Sequence, residues 1–186
     1  MGIAAGVVSL VAFIPYIASI LRGKTKPSRA TWLILSLTAA ITLASYREAV
    51  NGTAIWVARG YVIATIVVFL LSIKRGVGGW EGFDQLAFGG CAATLGLWAM
   101  SNSAELALFA ILATDLVGLL PTMRKTLHNP ETENSLAWIL SFAASLLSLL
   151  IVDGWSFLNF AYPAYLTISS GTIAALSLRK NRTFSF

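Results

Sequence analysis

The sequence predicts an all-α membrane protein of seven transmembrane helices, built as two parallel three-helix bundles joined by a linker helix. Three observations carry that prediction. The chain is 57% apolar and only 11% charged, where a soluble domain of this length would be about a quarter charged. A water-soluble fold cannot hide that much apolar surface. The apolar residues also fall into seven runs. Finally, residues 13–32, FIPYIASILRGKTKPSRATW, are echoed by residues 119–138, LLPTMRKTLHNPETENSLAW, with the same spacing from proline to tryptophan.

A helical span needs roughly 20 mostly apolar residues. The runs cover residues 3–21, 31–46, 54–73, 85–100, 105–123, 135–152 and 156–178. The first has no basic residue ahead of it, so it reads as a retained span, not a secretory signal. Barrel strands would show alternation in shorter segments. The charges support the count. Arg22, Lys24, Lys26 and Arg29 follow the first run, Lys74 and Arg75 the third, Arg124 and Lys125 the fifth, and Arg179, Lys180 and Arg182 the seventh. Seven spans put all of these on one side, and short loops rich in Lys and Arg stay in the cytoplasm. The amino terminus is therefore expected outside and the carboxyl terminus inside.

This basic character does not form a contiguous face with free aromatics, so nucleic acid is not an expected partner. One cysteine, Cys91, and one histidine, His128, exclude an intrachain disulfide and a Cys/His metal cluster. They also leave no nucleophile–base constellation. No enzyme activity, cofactor or metal is expected.

Sliding the chain by the offset between Pro15 and Pro121 aligns runs one to three with runs five to seven. Trp32 meets Trp138 and Lys74 meets Lys180. Three runs, one spare and three runs give both triplets the same orientation, a parallel repeat about an axis along the membrane normal. The expected units are 1–76, the first bundle; 77–102, the linker helix; 103–180, the second bundle; and 181–186, a cytoplasmic tail.

Pro15 and Pro121 each remove one helical hydrogen bond, roughly 8–10 Å from the basic ends. Paired at one depth, they are candidate hinges. Asp115 lies near the middle of the fifth run, and a charge inside a membrane is costly and commonly functional. Its repeat partner is Ser9. Asp115 is a candidate proton or substrate-cation site, with Arg59 in the outer third of run three as a candidate partner. The first loop is basic, with Lys24, Lys26 and Arg29. The second carries Glu131 and Glu133, so the two are candidate halves of a cytoplasmic gate. Trp32 and Trp138 open runs two and six, as interface anchors or as pore-facing aromatics.

The stretches PYIASILRGKTKPSRATW and PTMRKTLHNPETENSLAW resemble the PQ-loop superfamily, which includes the SWEET and SemiSWEET sugar carriers, and prokaryotic members most of all. Tyr16 and Thr122 stand where that family has Gln. The resemblance implies the three-plus-one-plus-three fold, residence in a prokaryotic plasma membrane and alternating access. Carriers of this family place a sugar-binding Asn mid-membrane on the third helix of each triplet. Here that depth offers Thr65 in run three and Ser169 in run seven, with Asn159 nearer the outer end. The expected function is a small-solute transporter, proton-coupled through Asp115. Its expected partners are the bilayer, a small polar solute (a sugar, amino acid or vitamin precursor) and a homo-oligomer. The alternative is a seven-helix ligand-binding receptor that does not transport.

Overall fold

The structure is a computed structural model and describes residues 7, 10–45, 53–79, 81–100, 104–150, 152 and 157–179. The description is of backbone alone at 42, 44–45, 53–58, 97–98, 104–105, 107–108 and 157–159. These residues form seven α-helices: α1 Phe13–Leu21, α2 Arg29–Ser45, α3 Thr53–Arg75, α4 Gly82–Ala99, α5 Ala104–His128, α6 Ser135–Leu150 and α7 Phe157–Ser177. A single 3₁₀ turn, Pro130–Thr132, joins α5 to α6. Among the described residues there is no strand, only an isolated bridge between Ser28 and Val77. Among the described residues, also, no helix is long and apolar enough to cross a membrane.

The helices track the seven apolar runs. Residues 3–6 and 8–9 of the first run lie outside the described residues, and α5 continues past the expected end at residue 123 to His128. The apolar pattern marks where a helix stops being greasy, not where its backbone stops. Lys125 and His128 in the last turn complement the negative end of the helix dipole.

Local chemistry explains the ends on the basic side. Gly23 sits at φ +73°, and Gly23 N–H donates to Ile20 O (2.9 Å) while Lys24 N–H donates to Ser19 O (3.0 Å). That double bond is a left-handed glycine stop for α1. Ser28 Oγ accepts from Thr31 N–H (3.3 Å) at the start of α2. Asn134, its repeat partner, does the same for α6 by accepting from Ala137 N–H (2.9 Å). The repeat also governs helix three of each triplet. Arg29 donates to Ser72 O (3.1 Å) at the end of α3, and its repeat partner Ser135 donates to Ser177 O (3.1 Å) at the end of α7.

The packing has the same two-fold logic. In the first triplet α3 contacts both α1 and α2, and in the second α7 contacts both α5 and α6. Across the triplets, α1 packs on α6 and α2 packs on α5. Exchanging the triplets exchanges these two contacts. The remaining helix, α4, lies against α5 and α2. At the α2–α5 crossing, Gly118 lets the backbones approach: a Cβ there would stand 2.6 Å from Ile34 Cγ2. The core gathers Tyr16, Ile20, Trp32, Leu35, Val68, Leu119, Ala137 and Ile173 from six helices.

Candidate solute cavity

A cavity of about 200 Å³ lies between the triplets. Every helix except α4 contributes to its wall. The two triplets do not contribute alike. The first supplies mainly aromatic and aliphatic groups: Phe13 and Tyr16 from α1, Trp32 and Leu35 from α2, and Tyr61 from α3. The second adds Asp115 from α5, a row of Ser141, Ser145 and Ser148 along α6, and Ser169 and Ser170 from α7. Spacings of three and four residues put the α6 serines on one helical face. At the repeat positions of Ser141 and Ser145 the first triplet has Leu35 and Ala39.

Asp115 is buried, 7% exposed, on the cavity wall. Thr38 of α2 donates to its Oδ1 from 3.1 Å, across the α2–α5 contact between triplets. The preceding residue, Thr114, turns the other way, hydrogen-bonding Thr94 of α4 and accepting at its carbonyl from Cys91 Sγ (3.5 Å). Arg59 is an exposed residue of α3. Thr65 is fully buried and spends its hydroxyl on Val62 O (2.9 Å) within α3. Ser169 lines the cavity. Ser9 and the side chain of Asn159 lie outside the described residues.

The tryptophans face the cavity and are not equivalent. Trp32 Nε1–H donates to Tyr16 Oη (3.2 Å). Trp138 packs edge-on against Tyr16, with ring centroids 6.3 Å apart, but its Nε1–H is buried with no partner among the described residues. The cause is legible in the repeat. Tyr16 answers Trp32, while its repeat partner Thr122 is too short to answer Trp138. The Thr122 hydroxyl is itself buried and unpartnered.

Both candidate hinge prolines lie in helical backbone. Ala12 keeps helical dihedrals (φ −59°, ψ −26°) between helical residues on both sides, and Pro15, which has no N–H, leaves the ladder one hydrogen bond short there. Pro121 lies inside an unbroken α5. A third proline, Pro163, lies inside α7.

Below the cavity the two loops meet, but not through the pairs expected of a gate. Lys26 N–H donates to Thr132 O (2.9 Å), and Lys125 Nζ donates to Lys26 O (2.7 Å). Glu133 is buried and pairs with Lys125 at 2.5 Å. Arg29 is turned to the end of α3, where it also meets Gly78 O (2.5 Å). Lys24 and Glu131 are exposed. A further tie comes from Asn134, whose Nδ2 donates to Pro15 O (3.2 Å). So Lys125 and Asn134 join the triplets at this end by hydrogen bonds, and Tyr16 by its ring contact with Trp138.

Sequence reasoning singled out neither these three nor the α6 serines. The signals were present. Tyr16 departs from the Gln of the resemblance, Asn134 stands immediately before an apolar helix start, and serines recur at helical spacing. Comparison with family models, with curated proteins and with solved structures gives no match to this chain.

Proposed function

We propose that the chain is a seven-span membrane carrier of the PQ-loop type that moves a small polar solute by alternating access between its two triplets. The observation that carries this reading is the cavity: both triplets wall it, and a buried carboxylate stands in it. A site shared between two pseudo-equivalent bundles can be opened from either end by rocking one against the other. The membrane assignment draws support from the outward faces of the helices, where Leu86 is 75%, Ile168 70%, Ile14 65% and Ile63 62% exposed. Apolar groups spread over so many helix faces suit lipid better than water. The basic ends of α3, α5 and α7 lie to the cytoplasmic side by the charge rule.

In this reading the ties among Lys26, Thr132, Lys125, Glu133, Asn134 and Pro15 hold the cytoplasmic end shut. The hydrogen bond that Pro15 cannot make gives α1 a point to bend when they part. Asp115 couples transport to a proton. The test is uptake of labelled sugars, amino acids and vitamin precursors into proteoliposomes under an imposed pH gradient. A solute driven by the gradient in the native chain, and not in Asp115→Asn, is expected. A solute that binds with no flux would favour the receptor alternative instead.

A further inference from the structure

The α2–α5 seam between the triplets is built in rungs. Thr38 donates to Asp115 Oδ1 (3.1 Å), and one turn nearer the basic end Gly118 lies against Ile34. On the basic side α2 starts and α5 ends, so the two helices run antiparallel. Each step back along α2 therefore meets a step forward along α5. Thr38, Ile34 and Thr31 share one face of α2, and Asp115, Gly118 and Thr122 share one face of α5, at spacings of three and four. The next rung sets Thr31 opposite Thr122.

Both of these side chains are fully buried, and neither hydroxyl has a hydrogen-bond partner among the described residues. A buried hydroxyl without a partner is costly, and here two of them meet from different triplets. A third polar group belongs to the same rung. Pro121 lies inside α5 and has no N–H, so the Val117 carbonyl loses its helical donor. Helical carbonyls point toward the carboxyl end, which directs this one at the turn that carries Pro121 and Thr122. Inside membrane helices such freed carbonyls are met by neighbouring hydroxyls or by ordered water. The two threonine hydroxyls do not meet it.

The repeat shows why the other seam differs. At the matching positions between α1 and α6 stand Tyr16 and Ala137, both packed in the apolar core. There a ring fills the rung, and its hydroxyl takes Trp32 Nε1–H (3.2 Å). Thr31 and Thr122 together carry fewer side-chain atoms than that pair and one more hydroxyl.

We infer that the α2–α5 seam binds one buried water molecule, held by the Thr31 hydroxyl, the Thr122 hydroxyl and the Val117 carbonyl. A buried water makes about three hydrogen bonds to groups that would otherwise go unpaired. This one donates to Val117 O and bonds both threonine oxygens, each of which can donate or accept. It ties the Pro121 turn to the opposite triplet, about two helical turns from Asp115. The site needs neither a solute in the cavity nor transport.

The test is a density map of the full chain in lipid nanodiscs, fine enough to show ordered water, joined to a double-mutant cycle. One peak is expected within hydrogen-bond reach of both threonine oxygens and of Val117 O. Ordered water elsewhere in the interior but none here would overturn the inference. So would a peak seen in sodium buffer and lost in potassium, which marks a cation. Thr122→Ser keeps the oxygen and should keep the peak, and Thr122→Val should lose it. Thr31→Val and Thr122→Val keep the shape of the side chain. Each is expected to raise the unfolding constant severalfold, and the double variant by less than the product of the two. Valine variants as stable as the native chain or more so, or losses that multiply independently, would show two hydroxyls that share no ligand and would overturn the inference.

Discussion

Asn134 offers the cleanest dissection, because one side chain makes two separable bonds. Its Oδ1 caps α6 by accepting from Ala137 N–H at 2.9 Å, and its Nδ2 reaches Pro15 O at 3.2 Å in the other triplet. Losing a helix cap costs about 0.5–2 kcal/mol, and losing a partly buried hydrogen bond about 0.5–1.5 kcal/mol. Asn134→Ala should therefore destabilise the fold by about 1–3 kcal/mol. Asn134→Ser copies the solution already used at Ser28, which caps α2. It keeps the cap, loses only the Pro15 tie, and should cost about 1 kcal/mol. Asn134→Asp keeps the cap but turns a carboxylate oxygen on the Pro15 carbonyl, so it should cost more than Ser. Reversible unfolding in mixed micelles gives the order Asn, Ser, Asp or Ala in falling stability. Ser and Ala at equal cost would refute the cap, and Ser at no cost would refute the Pro15 tie.

Further outcomes follow from the same geometry. Lys125 and Glu133 have side chains 9% and 0% exposed, so Glu133→Gln alone strands a buried charge and should cost about 3 kcal/mol. The pair Lys125→Met with Glu133→Leu should recover most of that loss in a double-mutant cycle, and additive losses would refute the coupling. Trp32→Phe removes the bond to Tyr16 and should cost about 1 kcal/mol in unfolding. Trp138→Phe removes an unpartnered donor and should be neutral or stabilising in the ligand-free chain, so equal losses at the two sites would contradict the asymmetry described. Gly118→Ala drives a Cβ to 2.6 Å from Ile34 Cγ2 and should cost about 1–3 kcal/mol by overpacking. Adding Ile34→Ala should relieve the clash while opening a cavity of its own, and a Gly118→Ala loss that is independent of Ile34 would refute the contact.

The seven helices were legible because each apolar run is bounded by charge, glycine or a capping side chain. The repeat was legible because Pro and Trp are rare enough for their spacing to stand out. Asp115 was found by the cost of a charge in an apolar run, and it lies on the cavity wall. The rest depended on contacts that sequence spacing does not encode. Thr38, which hydrogen-bonds Asp115, comes from α2 of the other triplet. Glu133 finds Lys125 in its own triplet, because the 3₁₀ turn folds the loop back under α5. Ser141, Ser145 and Ser148 carry no signal beyond their helical spacing until the cavity sets α1, α2 and α3 across from them.

The central claim is that the cavity opens to one side when the triplet ends meet and to the other when they part. In a Cys91→Ala background, Ser145→Cys puts a thiol on the cavity wall, and Lys26→Cys with Thr132→Cys places a cross-linkable pair where the loops already hydrogen-bond. Labelling by a membrane-impermeant maleimide, applied from each face of oriented proteoliposomes, reads access directly. The wall thiol should be reached from both faces when the loops are free and from the outer face only when they are cross-linked. Labelling from neither face, or from the cytoplasmic face whether or not the loops are cross-linked, would contradict alternating access.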